Sequence, residues 1–403
     1  MNRISILSIV HSLPHYNVPL WMNLGRHPDI DLTLSYGTNF FGAAVQEGED
    51  HLPSSPTFQV SRGPLTILKL GGKEVLWHAH GLRTLAQGRF DLVVHQLEAK
   101  FLSLPVAMAS QKLRGGKMIL WGKGDAGTKK SPVLDWFNRQ SVKLADAAVF
   151  YDEAMRKRYI ERGFPADSLF VAHNSLDLSP IEAQLGAWSP QEIKDFRHRQ
   201  GLGDGPVLLN VGRIMERKRL DVLLSAAARL LPDFPGLKLV IVGEGPDTQR
   251  LRALAQRFGL EEILQFPGRI IGEENIAPWF LSCDAVVNPG SIGHLATHAH
   301  AYGRPLLTCD DRSMHGPEYE ILVDGVTGYA FQLDDLHGLV RKLSILLRDK
   351  PLREEMGNAA RLRAAETHGI HFTVNGFLRA AEYLTGRKLP TMTAAGSFIA
   401  EDA

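Results

Sequence analysis

A glycine, an arginine and a lysine stand just past an apolar run: Val207-Leu208-Leu209-Asn210-Val211, then Gly212, Arg213 and, after a short gap, Lys218. Glycine lets backbone come close to a ligand at a strand end. Arginine offers a planar fork and lysine a compact charge, a pair suited to two phosphates. The run Glu216-Arg217-Lys218-Arg219 would serve equally as solvated charges at a helix start. Two further glycine turns follow, Gly243-Glu244-Gly245-Pro246 and Pro289-Gly290-Ser291-Ile292-Gly293-His294. Each sits between an apolar run and a helical pattern, where amides can face an anion. The first is what any tight turn after a parallel strand would use. The second gathers two glycines, a serine and a histidine.

The elements that must position these residues alternate short apolar runs with helical periodicity, which predicts α/β with parallel sheets. In the first half the expected strands are Ile4–Val10, Ile30–Ser35, Leu92–Val94, Met118–Trp121, Ala147–Phe150 and Leu169–Val171. The polar, Gly/Pro-rich stretch from Thr38 to Thr66 is expected to be loop. The second half restarts with Val207–Val211, Lys238–Val242, Ile263–Phe266, Ala285–Val287 and Pro305–Thr308. Two doubly wound, Rossmann-like domains facing a cleft follow, since ligands of open α/β sheets gather at strand C-termini. The expected boundaries are 1–180 for the first domain, 181–204 for a linker and 205–370 for the second. A helix over 371–388 would return to the first domain, and 389–403 would form a flexible tail.

At 403 residues the chain is long enough for two domains. A net charge of +1 provides no global field for nucleic acid. Two cysteines, Cys283 and Cys309, argue against a disulfide scaffold and for a reducing, cytoplasmic setting. The opening apolar run is broken at His11 to His15 and reads as a strand rather than a leader. No stretch approaches the roughly 20 apolar residues of a membrane span.

From Leu208 to about Leu347 the motif order resembles the retaining glycosyltransferases of the group-one, glycogen-synthase-like family, with its GT-B architecture. The likeness lies in Gly212-Arg213 with Lys218, in Gly243 to Pro246, in His298-Ala299-His300-Ala301-Tyr302-Gly303-Arg304-Pro305, and in Glu320 to Gly328. It implies pyrophosphate contacts for Arg213 and Lys218. It also implies a donor site that includes Gly212, Gly243, Gly245, Gly290, Ser291, Gly293, His294, His298 and Glu320. The implied donor is a UDP- or GDP-linked sugar, used as substrate with no further cofactor. The implied acceptor is a glycan or polyprenyl-linked glycan.

One departure stands out. The family carries two glutamates separated by seven residues, and Gly290 and His298 occupy those positions. A histidine can still offer one ring nitrogen as donor and one as acceptor to ribose hydroxyls. Three alternatives remain open: backbone amides of the glycine loop hold the sugar, Glu318 or Asp311 supplies the acid, or the chain binds a nucleotide sugar without turning it over. A nucleotide-sugar epimerase is a further rival. His294 and His298 have a zinc spacing but lack a third ligand, so no metal is expected.

In the first half, His95 is a candidate catalytic residue, and His15, Glu98 and Lys123 are candidates for the acceptor side. Lys112, Arg114, Lys117, Lys123, Lys129 and Lys130, followed by Trp136 and Phe137, form a basic stretch with aromatics. It is compatible with a peripheral contact on anionic lipid at the inner membrane face or with a solvated surface.

Overall fold

The computed structural model describes residues 2–39, 48–70, 73–125 and 132–400. The chain folds as two compact units, Met1–Asp177 with Ile370–Ala403, and Leu178–Gly369.

The first unit contains β1 (Ile4–Val10), β2 (Ile30–Gly37), β3 (Gln59–Gly63), β4 (Thr66–Leu70), β5 (Lys73–Trp77), β6 (Leu92–Gln96), β7 (Lys117–Gly122), β8 (Ala147–Phe150) and β9 (Leu169–Val171). Seven of these make one parallel sheet in the order β3-β2-β1-β6-β7-β8-β9. The second unit contains β10 (Val207–Val211), β11 (Lys238–Val242), β12 (Leu264–Gly268), β13 (Ala285–Asn288), β14 (Leu306–Cys309) and β15 (Gly328–Phe331). Its parallel order is β12-β11-β10-β13-β14-β15. Both orders reverse direction beside the first strand of the unit, the topology that leaves room for a ligand at the strand C-termini. Strands buried on both faces explain the near-continuous runs of Val, Ile and Leu.

Three stretches differ from the sequence reading. The polar segment expected to be loop contains β3, which pairs in register with β2 from Thr33↔Gln59 to Gly37↔Gly63. Residues 40–47 of that segment lie outside the described residues. The expected linker forms two helices of the second unit, Ser179–Ala187 and Pro190–Arg199. Ser189 and Glu192 close a capping box, and Pro190 sits at the first helical position, where its missing N–H costs nothing. Phe196 anchors this helix edge-on against Trp279, 5.1 Å between ring centres. The expected flexible tail forms a short antiparallel pair, Thr391–Met392 with Phe398–Ile399. The buried His27 holds it, donating from Nε2 to the Pro390 carbonyl at 2.9 Å and meeting Phe398 edge-on at 4.7 Å. Residues 401–403 lie outside the described residues.

The helix Ile370–Thr385 packs on the first sheet. Phe377 inserts between Trp21 and Trp121, 6.1 and 5.3 Å between ring centres, and the two tryptophans meet edge-on at 5.6 Å. This cluster ties residues distant in sequence into one core. Phe377→Ala is predicted to destabilise the first unit by about 3 to 5 kcal/mol through the cavity it leaves. Urea unfolding checks this, and a loss under about 1 kcal/mol would show that the helix does not complete the core.

Candidate functional site

At the C-terminal edge of the second sheet, the strand ends continue side by side as bare backbone. The Gly212 amide donates to Val242 O at 2.9 Å, the Ile214 amide to Glu244 O at 2.9 Å, and the Gly243 amide to Gly268 O at 2.8 Å. A Cβ on Gly243 would lie 2.0 Å from Gly212 O, and one on Gly245 would lie 1.9 Å from Ile214 O. Gly243 also has φ 134°, a conformation that only glycine adopts without strain. The glycines of these turns therefore serve chain-to-chain approach, and the Gly212 and Gly243 amides are already engaged.

The same holds for the loop after β13. The Gly290 amide donates to Lys218 O at 3.0 Å and the Ser291 amide to Arg217 O at 2.9 Å. A Cβ on Gly290 would lie 2.2 Å from Arg217 O. This corrects the expectation that Gly290 and Ser291 hold a sugar through their amides: both amides bind the chain around Lys218. Gly293 differs, since a Cβ there would meet open space. It precedes the helix Leu295–Ala301, with His294 at the cap.

That loop fixes Lys218 beside an acid. Glu318, only 6% exposed, sits in the turn Pro317–Ile321, with Oε1 4.0 Å from His294 Nε2. Gly316 allows this, because a Cβ there would lie 2.1 Å from Glu318 Oε2. Burial, aided by the neighbouring Arg217 and opposed by Glu318, lowers the Lys218 ammonium to about 8. Arg213 is exposed in the turn after β10 and makes no ion pair among the described residues. Glu320 is half-buried in the same turn as Glu318, and its carbonyl accepts from Arg363 at 3.4 Å. Glu318 thus stands 4.0 Å from His294 and close enough to Lys218 for its charge to act on the ammonium.

Two residues here escaped the sequence reading. His315 accepts the Ile292 amide at Nδ1, 3.2 Å, and donates from Nε2 to Cys309 O at 2.8 Å. Burial lowers its pKa, which suits a neutral ring locked in one tautomer. It buckles the Glu318 turn to the glycine loop. Its only sequence signal is its place three residues before Glu318. The second is Glu273, at the start of the helix Glu273–Ser282. It takes His298 Nε2 at 3.2 Å and the Tyr302 hydroxyl at 2.5 Å. Phe280 stacks on both rings. Burial opposes the Glu273 charge, but these two bonds outweigh it and pull the carboxyl below its usual range. His298 therefore has only Nδ1 left for a ligand. His294 and His298 engage different carboxylates, and no group of three metal-ligating side chains gathers among the described residues.

In the first unit, His95 ends β6 at 1% exposure. Its Nδ1 donates to Gln96 O at 2.9 Å, and burial lowers its pKa to about 4. A neutral, enclosed imidazole is a core residue here, so the catalytic assignment of His95 is not supported. Glu98 pairs with Lys100 at 2.9 Å, His15 is exposed beside Tyr16 and His51, and Lys123 is exposed. In the basic stretch, Arg114 binds the carbonyls of Leu85, Ala86 and Gly88, and Lys117 pairs with Asp146 at 3.0 Å. Phe137 packs in the core and Trp136 is 56% exposed. Lys129 and Lys130 lie outside the described residues.

Residues 192–363 match the family described as glycosyl transferases group 1. That match lies within the second unit. It is 30% identical over 315 residues to a D-inositol 3-phosphate glycosyltransferase of Streptomyces avermitilis, covering 72% of this chain and 63% of that protein. It is 28% identical to a GDP-mannose-dependent alpha-(1-6)-phosphatidylinositol monomannoside mannosyltransferase of Mycolicibacterium smegmatis, covering 66% and 68%. The crystal structure of Anabaena Alr3699/HepE in complex with UDP superposes with a TM-score of 0.70 at 16% identity, covering 96% of this chain and 100% of that one. The structural likeness establishes the GT-B fold.

The Lys218 environment predicts a chemical signature. Its charge is present below about pH 8 and is lost as pH rises through that value. Acetylation of Lys218, followed by mass spectrometry, should reach half its limiting rate near pH 8, well below the solvated lysines. Glu318→Gln removes the charge that raises this pKa, so the midpoint should move lower. A Lys218 midpoint like that of the other lysines would refute the buried placement.

Proposed function

We propose that this chain transfers a sugar, with retention of configuration, from a UDP- or GDP-linked donor to a glycan or lipid-linked glycan in surface polysaccharide or glycoconjugate synthesis. The observation that carries the proposal is the half-buried Lys218, held by the glycine loop beside Glu318 and His294 at the strand C-termini. A desolvated cation that no neighbour fully neutralises suits a ligand of dense negative charge. In the transition state the sugar gains positive character and the diphosphate leaves with its charge. Lys218, Arg213 and the amide end near Gly293 stabilise that leaving group. Glu318 takes the place of the missing glutamate and orients the sugar hydroxyls. The leaving phosphate accepts the acceptor's proton, so no protein base is required. His298 offers Nδ1 to the ribose while Glu273 fixes its Nε2–H.

The name of one relative, a phosphatidylinositol monomannoside mannosyltransferase, supports a lipid-linked glycan as acceptor. We place the reaction in the cytoplasm, with peripheral contact at the inner membrane face through the helix that bears Trp136. Among the described residues, no helix is long and apolar enough to cross a membrane.

Calorimetry with UDP, GDP and ADP tests the donor site. One nucleotide should bind with micromolar affinity, and Arg213→Ala/Lys218→Ala should abolish it. Glu318→Gln should leave that affinity within about threefold and lower kcat by about 10²-fold or more. Unchanged turnover in Glu318→Gln would remove the acid from the mechanism. Binding with no turnover on any acceptor would favour a nucleotide-sugar-binding protein instead.

A further inference from the structure

The first unit carries a cavity of about 850 Å³ that none of the site residues above lines. It lies among the helix Pro132–Leu144, the turn 162–165 and the first residues of β8 and β9. Three cations line it: Arg139, Lys143 and Arg162. Arg139 and Arg162 converge on one oxygen of Asp125, which is 1% exposed; Arg139 lies 3.4 Å from it, and Arg162 closer. A buried carboxylate shared by two guanidinium groups fixes both and cancels one charge of two. Each guanidinium keeps further N–H donors in a rigid fork. Lys143 pairs with no acid among the described residues. Asp146, the acid at the rim, is paired with Lys117. The cavity therefore holds a preorganised positive charge that the ion pairs among the described residues do not fully cancel.

Its surroundings narrow the ligand. Trp136, Arg139 and Lys143 recur at helical spacing on one stripe, so the indole adjoins the cations. Val133 is 73% exposed, Leu144 67% and Trp136 56%. A free anion has no use for three exposed apolar side chains on the helix that borders its site. A phospholipid presents a phosphate at the level where tryptophan settles, with acyl chain beneath. We propose that this cavity takes the phosphate of an anionic phospholipid headgroup and seats the helix Pro132–Leu144 on the bilayer. The proposal rests on the membrane-facing part of the function proposed above and names the residues and chemistry of that contact.

The test is co-sedimentation of the full chain with vesicles of phosphatidylcholine, with and without phosphatidylglycerol, alongside nucleotide calorimetry on the same samples. The wild type should pellet with the anionic vesicles. Lys143→Glu, an exposed change, should weaken this by about tenfold or more, and Trp136→Ala should weaken it as well. UDP and GDP binding should not change in either variant. Equal vesicle binding by wild type and Lys143→Glu would overturn the proposal. So would binding of inorganic phosphate, at constant ionic strength, by a protein that ignores vesicles. Vesicle binding that depends on Lys143 would stand even if no nucleotide bound, an outcome that sinks only the transfer reading.

Discussion

The contact on which the second unit's site depends is backbone against backbone, where the loop after β13 meets the chain at Arg217 and Lys218. Gly290 can donate to Lys218 O only because no side chain holds the two strands of chain apart. Two such bonds place the lysine at the sheet edge and close its surroundings to water. Desolvation then lowers its pKa, and Glu318 keeps the fall from going further. The charge of one residue is thus set by the shape of a loop about seventy positions away.

Around it, each neighbour is held by another. Gly316 makes room for the Glu318 carboxyl, and His315 bridges Ile292 and Cys309. His298 is held by Glu273, which Tyr302 also holds. Buried polar groups that find partners in this way define one arrangement, while an unmet partner would carry a desolvation cost. The site is rigid at its base and presents Arg213 to solvent. A fixed lysine with an exposed arginine lets one charge stay oriented while the other adapts to the incoming diphosphate.

Much of the fold was legible because both sheets are parallel and buried, which leaves short Val/Ile/Leu runs at regular intervals. The strands that escaped reading are peripheral: β3 reads Gln-Val-Ser-Arg-Gly, and β4 and β5 form a separate hairpin, Thr-Ile-Leu-Lys-Leu against Lys-Glu-Val-Leu-Trp. The connection taken for a linker carried a capping signal, Ser189-Pro190-Gln191-Glu192, outweighed by its general polarity. For the candidate site, residue type singles out Lys218, His294 and Glu318. It does not distinguish a glycine that faces a ligand from one that admits a neighbouring chain, so the sequence leaves a sugar-holding glycine loop open at Gly290. Glu273 left no local trace, because its partner lies 25 positions away. His95 looked reactive for its position after a strand, and burial made it neutral.

The central claim is that a diphosphate binds against a half-neutral Lys218. Binding an anion there must draw a proton onto the amine, since the ammonium form is then favoured. Calorimetry of the bound nucleotide at pH 8 in buffers of different ionisation enthalpy measures that proton. The account predicts an uptake of about half a proton per site, near zero at pH 6.5 and absent in Lys218→Arg. Tight nucleotide binding with no proton uptake at pH 8 would show that the phosphates lie elsewhere.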